Sequence, residues 1–410
     1  MTLPLFERFP GTASLPRVEL CDLPTPVDNG ADILPLDEAA EQLWPVNGLW
    51  VKRDDLTNAT YGGNKVRKLE FLLGQAQAQG RTTVLTFGAY GSNHALATAV
   101  HARALGLEPH VVLSPQAPGP FAAATLRAHA ALGTVIHPID GWDGRREAVL
   151  AKQELARRDG VEPYIIPMGG TNSLGAVGYV NAAFEVAAQV RELDAGAVHA
   201  AHPDLPAPDV VYVAGGTLGT AVGLAIGFAA LERIGARMAP RVVAVRVTPD
   251  EVANESFAEK LATETVLLLR SLDPAFPELC LGDLRFELRH EFFEPGYGVP
   301  TAEALHAVEL AGAAGVKLET TYTGKAFAAL MADTRNGRLD PTRDHVLFWD
   351  TYHSGPMPPA GPVERLPEAL QGYVAECDRL FGAPADASTG SAAGTPADAP
   401  AAAATEGASE

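Results

Sequence analysis

The chain has 410 residues and a formal net charge of -19, long enough for two domains or one large α/β unit. That acidity argues against nucleic acid as a partner, because phosphate backbones draw basic surfaces. Cys21, Cys280 and Cys377 are too scattered for a disulfide framework or a zinc knuckle, and no stretch approaches the roughly 20 apolar residues of a membrane span, so no membrane partner and a cytoplasmic location are expected.

The opening segment "MTLPLFERFP" lacks a basic start followed by an apolar run, so no secretory leader is expected. In "YGGNKVRKLEFL" (61–72) a glycine turn runs into a helical pattern, with Lys65 at the junction and Arg67 and Lys68 beside it. From about residue 80, strands and helices alternate: "TTVLTF" (82–87) and "NHALATAVHARALG" (93–106), then "HVVL" (110–113) and "PFAAATLRAHAALG" (120–133). "TVIHPI" (134–139) precedes "GRREAVLAKQELARR" (144–158), and "YIIPM" (164–168) precedes "LGAVGYVNAAFEVAAQV" (174–190). "DVVYVAGG" (209–216) opens another helix, and "RVVAVRV" (241–247) and "HVLFWD" (345–350) read as further buried strands. Apolar strands alternating with helices predict an α/β fold of parallel sheets flanked by helices, and the strand count predicts two sheets. We expect a large domain from 1–75 and 205–382, with a smaller α/β domain, 76–204, inserted in it. The tail 383–410 holds only Ala, Gly, Pro, Ser, Thr, Asp and Glu; it cannot bury enough surface to order itself, so disorder is expected there. His199 and His202 stand three apart among prolines without a third ligand, so no metal site is expected.

Several glycine junctions carry chemistry. "VYVAGGTLGTAVGLAIG" (211–227) would let backbone N–H groups at Gly215, Gly216 and Gly219 close round an anion at a helix N-terminus. A tight strand-to-helix turn and an incomplete dinucleotide fingerprint are the other readings of that stretch. "FGAYGSNHALAT" (87–98) puts Ser92, Asn93 and His94 at a helix start, where a hydroxyl either caps the helix or meets a carboxylate. "IPMGGTNSLGAVGYV" (166–180) and "YTGKAFAAL" (322–330) are further junctions. A lysine after a turn, an anion cup and a hydroxyl-bearing helix start together are what pyridoxal phosphate chemistry requires.

These blocks, in this order, resemble the D-cysteine desulfhydrase and 1-aminocyclopropane-1-carboxylate (ACC) deaminase family, pyridoxal phosphate enzymes of the tryptophan synthase β-like fold type II. The resemblance rests on "KRDDLTNATYGGNKVRKLEF" (52–71), "SNH" (92–94), "IPMGGTNSLGAVGYV", "EPGYGVPTAEAL" (294–305) and "TYTGKAFAAL" (321–330), and spans roughly residues 20–355. It implies that Lys65 is the Schiff-base lysine, that Asn93 lies near the cofactor ring and Ser92 near the substrate. It also implies that Gly215, Gly216, Thr217, Leu218 and Gly219 cradle the phosphate, that Tyr297 and Tyr322 face the substrate, and that Thr323 meets the pyridine nitrogen. Three departures stand out: Gly91 where the family has Gln, Leu96 where it has Arg, and "FWDTYHSG" (348–355) in place of a shorter His-Thr-Gly-Gly pattern.

The resemblance implies a lyase or deaminase acting on a small amino acid, and a homodimer is expected. A neutral hydroxyl at Thr323, where the ACC deaminases carry Glu, favours β-elimination to a 2-oxo acid and ammonia over ring opening of ACC. An NAD-linked oxidoreductase and a non-catalytic pyridoxal phosphate protein are the rival readings. Arg67 and Lys68, if close, would disfavour a charged ammonium on Lys65.

Overall fold

The computed structural model describes residues 2–29, 48–141, 149, 151–153, 155, 162–190, 206–340 and 342–382. Most of the expected helix over 144–158, the His199/His202 pair and the tail from 383 lie outside the described residues.

Helix α1 (Pro4–Arg8) and strand β1 (Val27–Asn29) come first. Strand β2 (Leu49–Arg53) leads through Asp54 and Asp55 into the glycine turn, and helix α2 (Lys65–Ala78) begins on Lys65 itself. Then follow β3 (Thr83–Ala89), α3 (Asn93–Ala104), β4 (Glu108–Ser114), α4 (Pro120–Leu132), β5 (Val135–Pro138) and β6 (Tyr164–Ile165). Next are α5 (Ser173–Gln189), β7 (Val210–Gly215), α6 (Gly219–Arg233), β8 (Arg241–Arg246), α7 (Glu255–Leu272) and β9 (Phe286–Arg289). Helices α8 (Ala302–Ala313) and α9 (Thr323–Arg335), strand β10 (Val346–Asp350) and helix α10 (Glu368–Phe381) complete the described chain.

The strands form two sheets, ordered β1-β2-β10-β7-β8-β9 and β5-β4-β3-β6. The smaller is wholly parallel, and in the larger only β1 runs antiparallel, against β2. Every residue of β7 and β10 is buried, as a parallel sheet covered on both faces demands. The larger sheet draws its strands from 27–53 and 210–350 and the smaller from 83–165, and two helices pack across that order. Helix α5 packs on α6 because glycines on α6 admit its backbone: a Cβ on Gly223 would stand 2.6 Å from Ala176 O, and one on Gly227 2.6 Å from Val180 O. Helix α10 packs Leu370 and Val374 against Leu126 and Ala130 of α4, beside the smaller sheet.

A buried ionic network ties β2, α2, α5 and β10 together. Lys52 Nζ donates to Glu185 Oε1, Gln189 Oε1 and Thr25 O, each at 2.7 Å. Arg67 bridges Asp54 (2.7 and 2.9 Å) and Glu185 (2.9 Å), and Tyr179 Oη and Trp349 Nε1 both donate to Asp54 Oδ2. Burial alone would raise Glu185, but Arg67 and Lys52 outweigh it and hold the carboxyl below its usual range. Arg67 is therefore spent on structure: its guanidinium is committed to Asp54 and Glu185 and does not act on Lys65.

Candidate active site

The glycine turn is shaped by close approach. A Cβ on Gly62 would stand 2.4 Å from Asp55 O, and Gly63 adopts φ 90 with its Cβ position 3.0 Å from Thr351 O, a conformation that suits glycine alone. Asn64 then fixes the lysine. Its N–H donates to Thr351 O at 3.1 Å, its Nδ2 to Thr220 Oγ1 at 2.9 Å, and its Oδ1 accepts from Lys65 Nζ at 2.7 Å. Enclosure by protein lowers Lys65 to a pKa of about 8, against an upward pull from Glu319.

Lys68, one turn along α2, is 2% exposed. Its Nζ donates to Gly169 O at 3.1 Å. A Cβ on Gly219, at the start of α6, would come within 2.9 Å of that Nζ and 2.6 Å of Thr171 Oγ1. Burial, then Lys65, pushes Lys68 well below its ordinary pKa. A buried lysine against the positive end of a helix is an electrostatic conflict that an anion resolves. The loop before α6 has the matching shape: Leu218 adopts φ 60, Gly219 N donates to Thr217 O at 2.8 Å, and the Thr217 and Thr171 hydroxyls meet at 2.6 Å. A phosphate monoester fits this cup.

The cup and Lys65 open on one cavity with two lobes, which share Lys65, Asn93, Gly216, Thr217 and Tyr322. The first lobe adds Lys68, Leu218, Gly219, Thr220, Glu319 and Tyr352. The second adds Ser92, Met168, Thr248, Val252 and Tyr297. Ser92 is the N-cap of α3, accepting from Ala95 N at 3.2 Å, and it also lines the cavity. Asn93 Oδ1 accepts from Tyr61 Oη at 3.0 Å. Tyr297 and Tyr322 join hydroxyl to hydroxyl at 2.6 Å; burial pushes Tyr297 up to about 12 and raises Tyr322 well above its ordinary value, so both phenols keep their protons at neutral pH.

Gly215, expected in the phosphate cradle, and Thr323, expected at the pyridine nitrogen, both make close backbone contacts. Gly215 ends β7 and backs on β8, with a Cβ there 3.2 Å from Val245 O. Thr323 is the first residue of α9 and 1% exposed, and its Oγ1 accepts from Glu319 N at 2.9 Å. Neither lines the cavity. The wall near Thr323 is formed by Glu319, the one carboxylate among the described lining residues. Its Oε1 accepts from Tyr322 N and Thr323 N, and its Oε2 from Thr321 N, at 2.7 to 2.8 Å. Glu319 thus caps α9, and burial still raises its pKa. Sequence reading missed Glu319 and Thr220; an acidic residue four positions before a helix start was the available signal for the first. At the departure from Gln, Gly91 N donates to Gln116 Oε1 at 2.9 Å.

A pKa of about 8 for Lys65 makes a prediction for the cofactor-free protein. Its acylation by acetic anhydride should rise with pH through about 8 and then level. Surface lysines should keep gaining reactivity toward about pH 10.4. Peptide mass mapping across pH reads both, and a Lys65 profile that follows the surface lysines would contradict the lowered value.

Residues 23–350 match the family described as pyridoxal-phosphate dependent enzyme. A D-cysteine desulfhydrase of Salmonella schwarzengrund (strain CVM19633) is 34% identical over 350 residues, covering 84% of this chain and 94% of its own. The D-cysteine desulfhydrase of Salmonella newport (strain SL254) matches to the same extent. A crystal structure of an ACC deaminase homologue has a TM-score of 0.67 at 30% identity, over 87% of this chain and 96% of its own. Threonine deaminase isoform 2 from Solanum lycopersicum, at TM-score 0.51 and 15% identity over 92% of this chain and 88% of its own, shares the fold.

Proposed function

The chain belongs to the pyridoxal-phosphate-dependent enzymes, with the fold type II architecture, and from that premise we propose that it eliminates a β leaving group from a small amino acid, D-cysteine being the first substrate to try. It is a lyase or deaminase, and the products are a 2-oxo acid and ammonia. The observation that carries the reading is the cavity itself: Lys65 at a helix start, a buried Lys68 facing the start of α6, and the paired phenols of Tyr297 and Tyr322 share it.

When bound, pyridoxal phosphate supplies a carbonyl for amines and an electron sink for charge developing at Cα. Lys68, with the backbone of Gly216, Thr217, Leu218 and Gly219 and the Thr220 hydroxyl, would hold its phosphate, and Lys65 would bond to its carbonyl carbon. Asn93 and Tyr322 would flank its ring. Lys65, with its lowered pKa, is the base for the Cα proton of the substrate. Ser92 and the N-terminus of α3 suit the substrate carboxylate. Tyr322, hydrogen-bonded to Tyr297, retains a proton to give to a departing group. Met168 and Val252 give the second lobe an apolar wall, which suits a small uncharged side chain.

Ring opening of ACC is a second reading, favoured by Glu319. The expected contrast between a hydroxyl at Thr323 and a carboxylate does not decide between them, because Glu319 also brings a carboxylate to the cavity, while the Thr323 hydroxyl accepts from Glu319 N and keeps its proton as a donor. D-cysteine, L-cysteine, 3-chloro-D-alanine and ACC, each scored for ammonia and 2-oxo acid, separate the readings. Turnover of the two D-amino acids well above ACC is expected; ACC as the better substrate would overturn elimination. We also propose a cytoplasmic homodimer, the cytoplasmic setting in keeping with the free cysteines.

A further inference from the structure

The segment that departs from the family pattern, 348–355, has no part in the reaction as described above. In the structure it lies against the lysine turn. Asn64 N donates to Thr351 O at 3.1 Å, and Gly62 N donates to His353 Nδ1 at 2.8 Å. His353 Nε2 in turn donates to Pro356 O at 3.1 Å. Both ring nitrogens are thereby assigned: Nδ1 accepts from an amide and Nε2 carries the proton. His353 is 4% exposed, and burial lowers its pKa, in keeping with a neutral ring. Its imidazole lies 4.2 Å from the ring of Tyr61 with the planes 32° apart.

Tyr61 is 1% exposed and grips α3 at two points. Its hydroxyl donates to Asn93 Oδ1 at 3.0 Å, and its carbonyl accepts from His101 Nε2 at 2.9 Å. Those partners stand eight residues apart on one helix, about 12 Å along its axis. A residue four positions before Lys65 thus fixes both the height and the tilt of the helix that carries Ser92 and Asn93. With Asn93 Oδ1 occupied by Tyr61, its Nδ2 donors are left for the cavity that Asn93 lines.

We propose that Tyr61 and His353 are positioning residues: His353 sets Tyr61 and the Gly62 amide, and Tyr61 turns the Asn93 amide so that its N–H groups serve the cofactor ring. The proposal rests on the reading of Lys65 and Asn93 as the cofactor site. No contact between Tyr61 or His353 and the reacting atoms is involved.

Tyr61→Phe keeps the ring on His353 and removes only the hydroxyl. With holoenzyme we expect cofactor affinity to fall about fivefold, the size of one lost neutral hydrogen bond. The absorption band of the lysine-bound cofactor should shift, kcat should fall more than KM changes, and the melting temperature should hold. In an Asn93→Ala background the same substitution should change affinity and band no further, because the hydroxyl acts through Asn93. His353→Phe should reproduce the band shift, and His353→Asn, which restores an acceptor for the Gly62 amide, should partly reverse it. A Tyr61→Phe holoenzyme with wild-type band, affinity and kcat would overturn the proposal, as would effects of Tyr61→Phe and Asn93→Ala that simply add. Failure of the underlying reading looks different: the wild type itself would then carry no borohydride-reducible cofactor on Lys65.

Discussion

Replacing Lys65 with alanine should abolish turnover, by at least about 10³-fold, together with the absorption of the lysine-bound cofactor. The fold should survive. Among the described residues, Lys65 Nζ is hydrogen-bonded to the Asn64 side chain and to no residue distant in sequence, and its enclosure penalises the charged form. Removing it takes away a cost of folding along with the chemistry, so the melting temperature of the cofactor-free protein should stay level or rise. The measurement is a spectrum and a borohydride trap on the variant, beside thermal unfolding of the cofactor-free form. A borohydride-reducible adduct retained on Lys68, whose amine lines the same cavity, would move the covalent bond there and sink the assignment.

The largest loss of stability should follow from Arg67→Met. Arg67 stands between Asp54 and Glu185, and all three are buried. Without it, Lys52 alone faces two carboxylates, and among the described residues Asp54 keeps only neutral side-chain donors, from Thr25, Tyr179 and Trp349. Removing one member of such a buried cluster leaves uncompensated charge, at a cost of about 3–5 kcal/mol. Urea unfolding of the cofactor-free protein measures it. Arg67→Lys should recover only part of the loss, because a single ammonium cannot reach Asp54 and Glu185 with paired donors. A loss under about 1 kcal/mol for the methionine variant, within the range of an exposed pair, would show that water or protonation relieves the cluster.

That network also shows where sequence reading stops. Strands β3, β4, β7, β8 and β10 are legible because strands buried on both faces become continuous apolar runs. Strand β2, "LWVKR", breaks that pattern with Lys52, and its partner Glu185 lies 133 residues away. Nothing local announces such a pairing. Lys65 and the anion cup are legible for the opposite reason: each is a glycine turn followed by a helix start, so residue type and spacing carry the geometry. Arg67 and Lys68 sit side by side in sequence, yet α2 turns one into the ionic network and the other toward the cup. Resemblance places Thr323 at the cofactor ring; what spacing alone does not announce is that its hydroxyl accepts from the backbone of Glu319 and that the Glu319 carboxylate caps the helix the threonine begins.

Leu218 is the one non-glycine residue with positive φ among the described residues. An L side chain held in that region costs about 1–2 kcal/mol, and a glycine would remove the cost. The leucine is 2% exposed and belongs to the main hydrophobic core, so its side chain acts as a peg that cocks the loop. The curvature of the anion cup is therefore imposed from below by packing, before any ligand arrives, and binding has little loop motion left to freeze. Its affinity becomes a property of the core as well as of the donors. A cavity opened beneath Leu218 would slacken the loop and weaken phosphate binding while every residue touching the phosphate stayed the same.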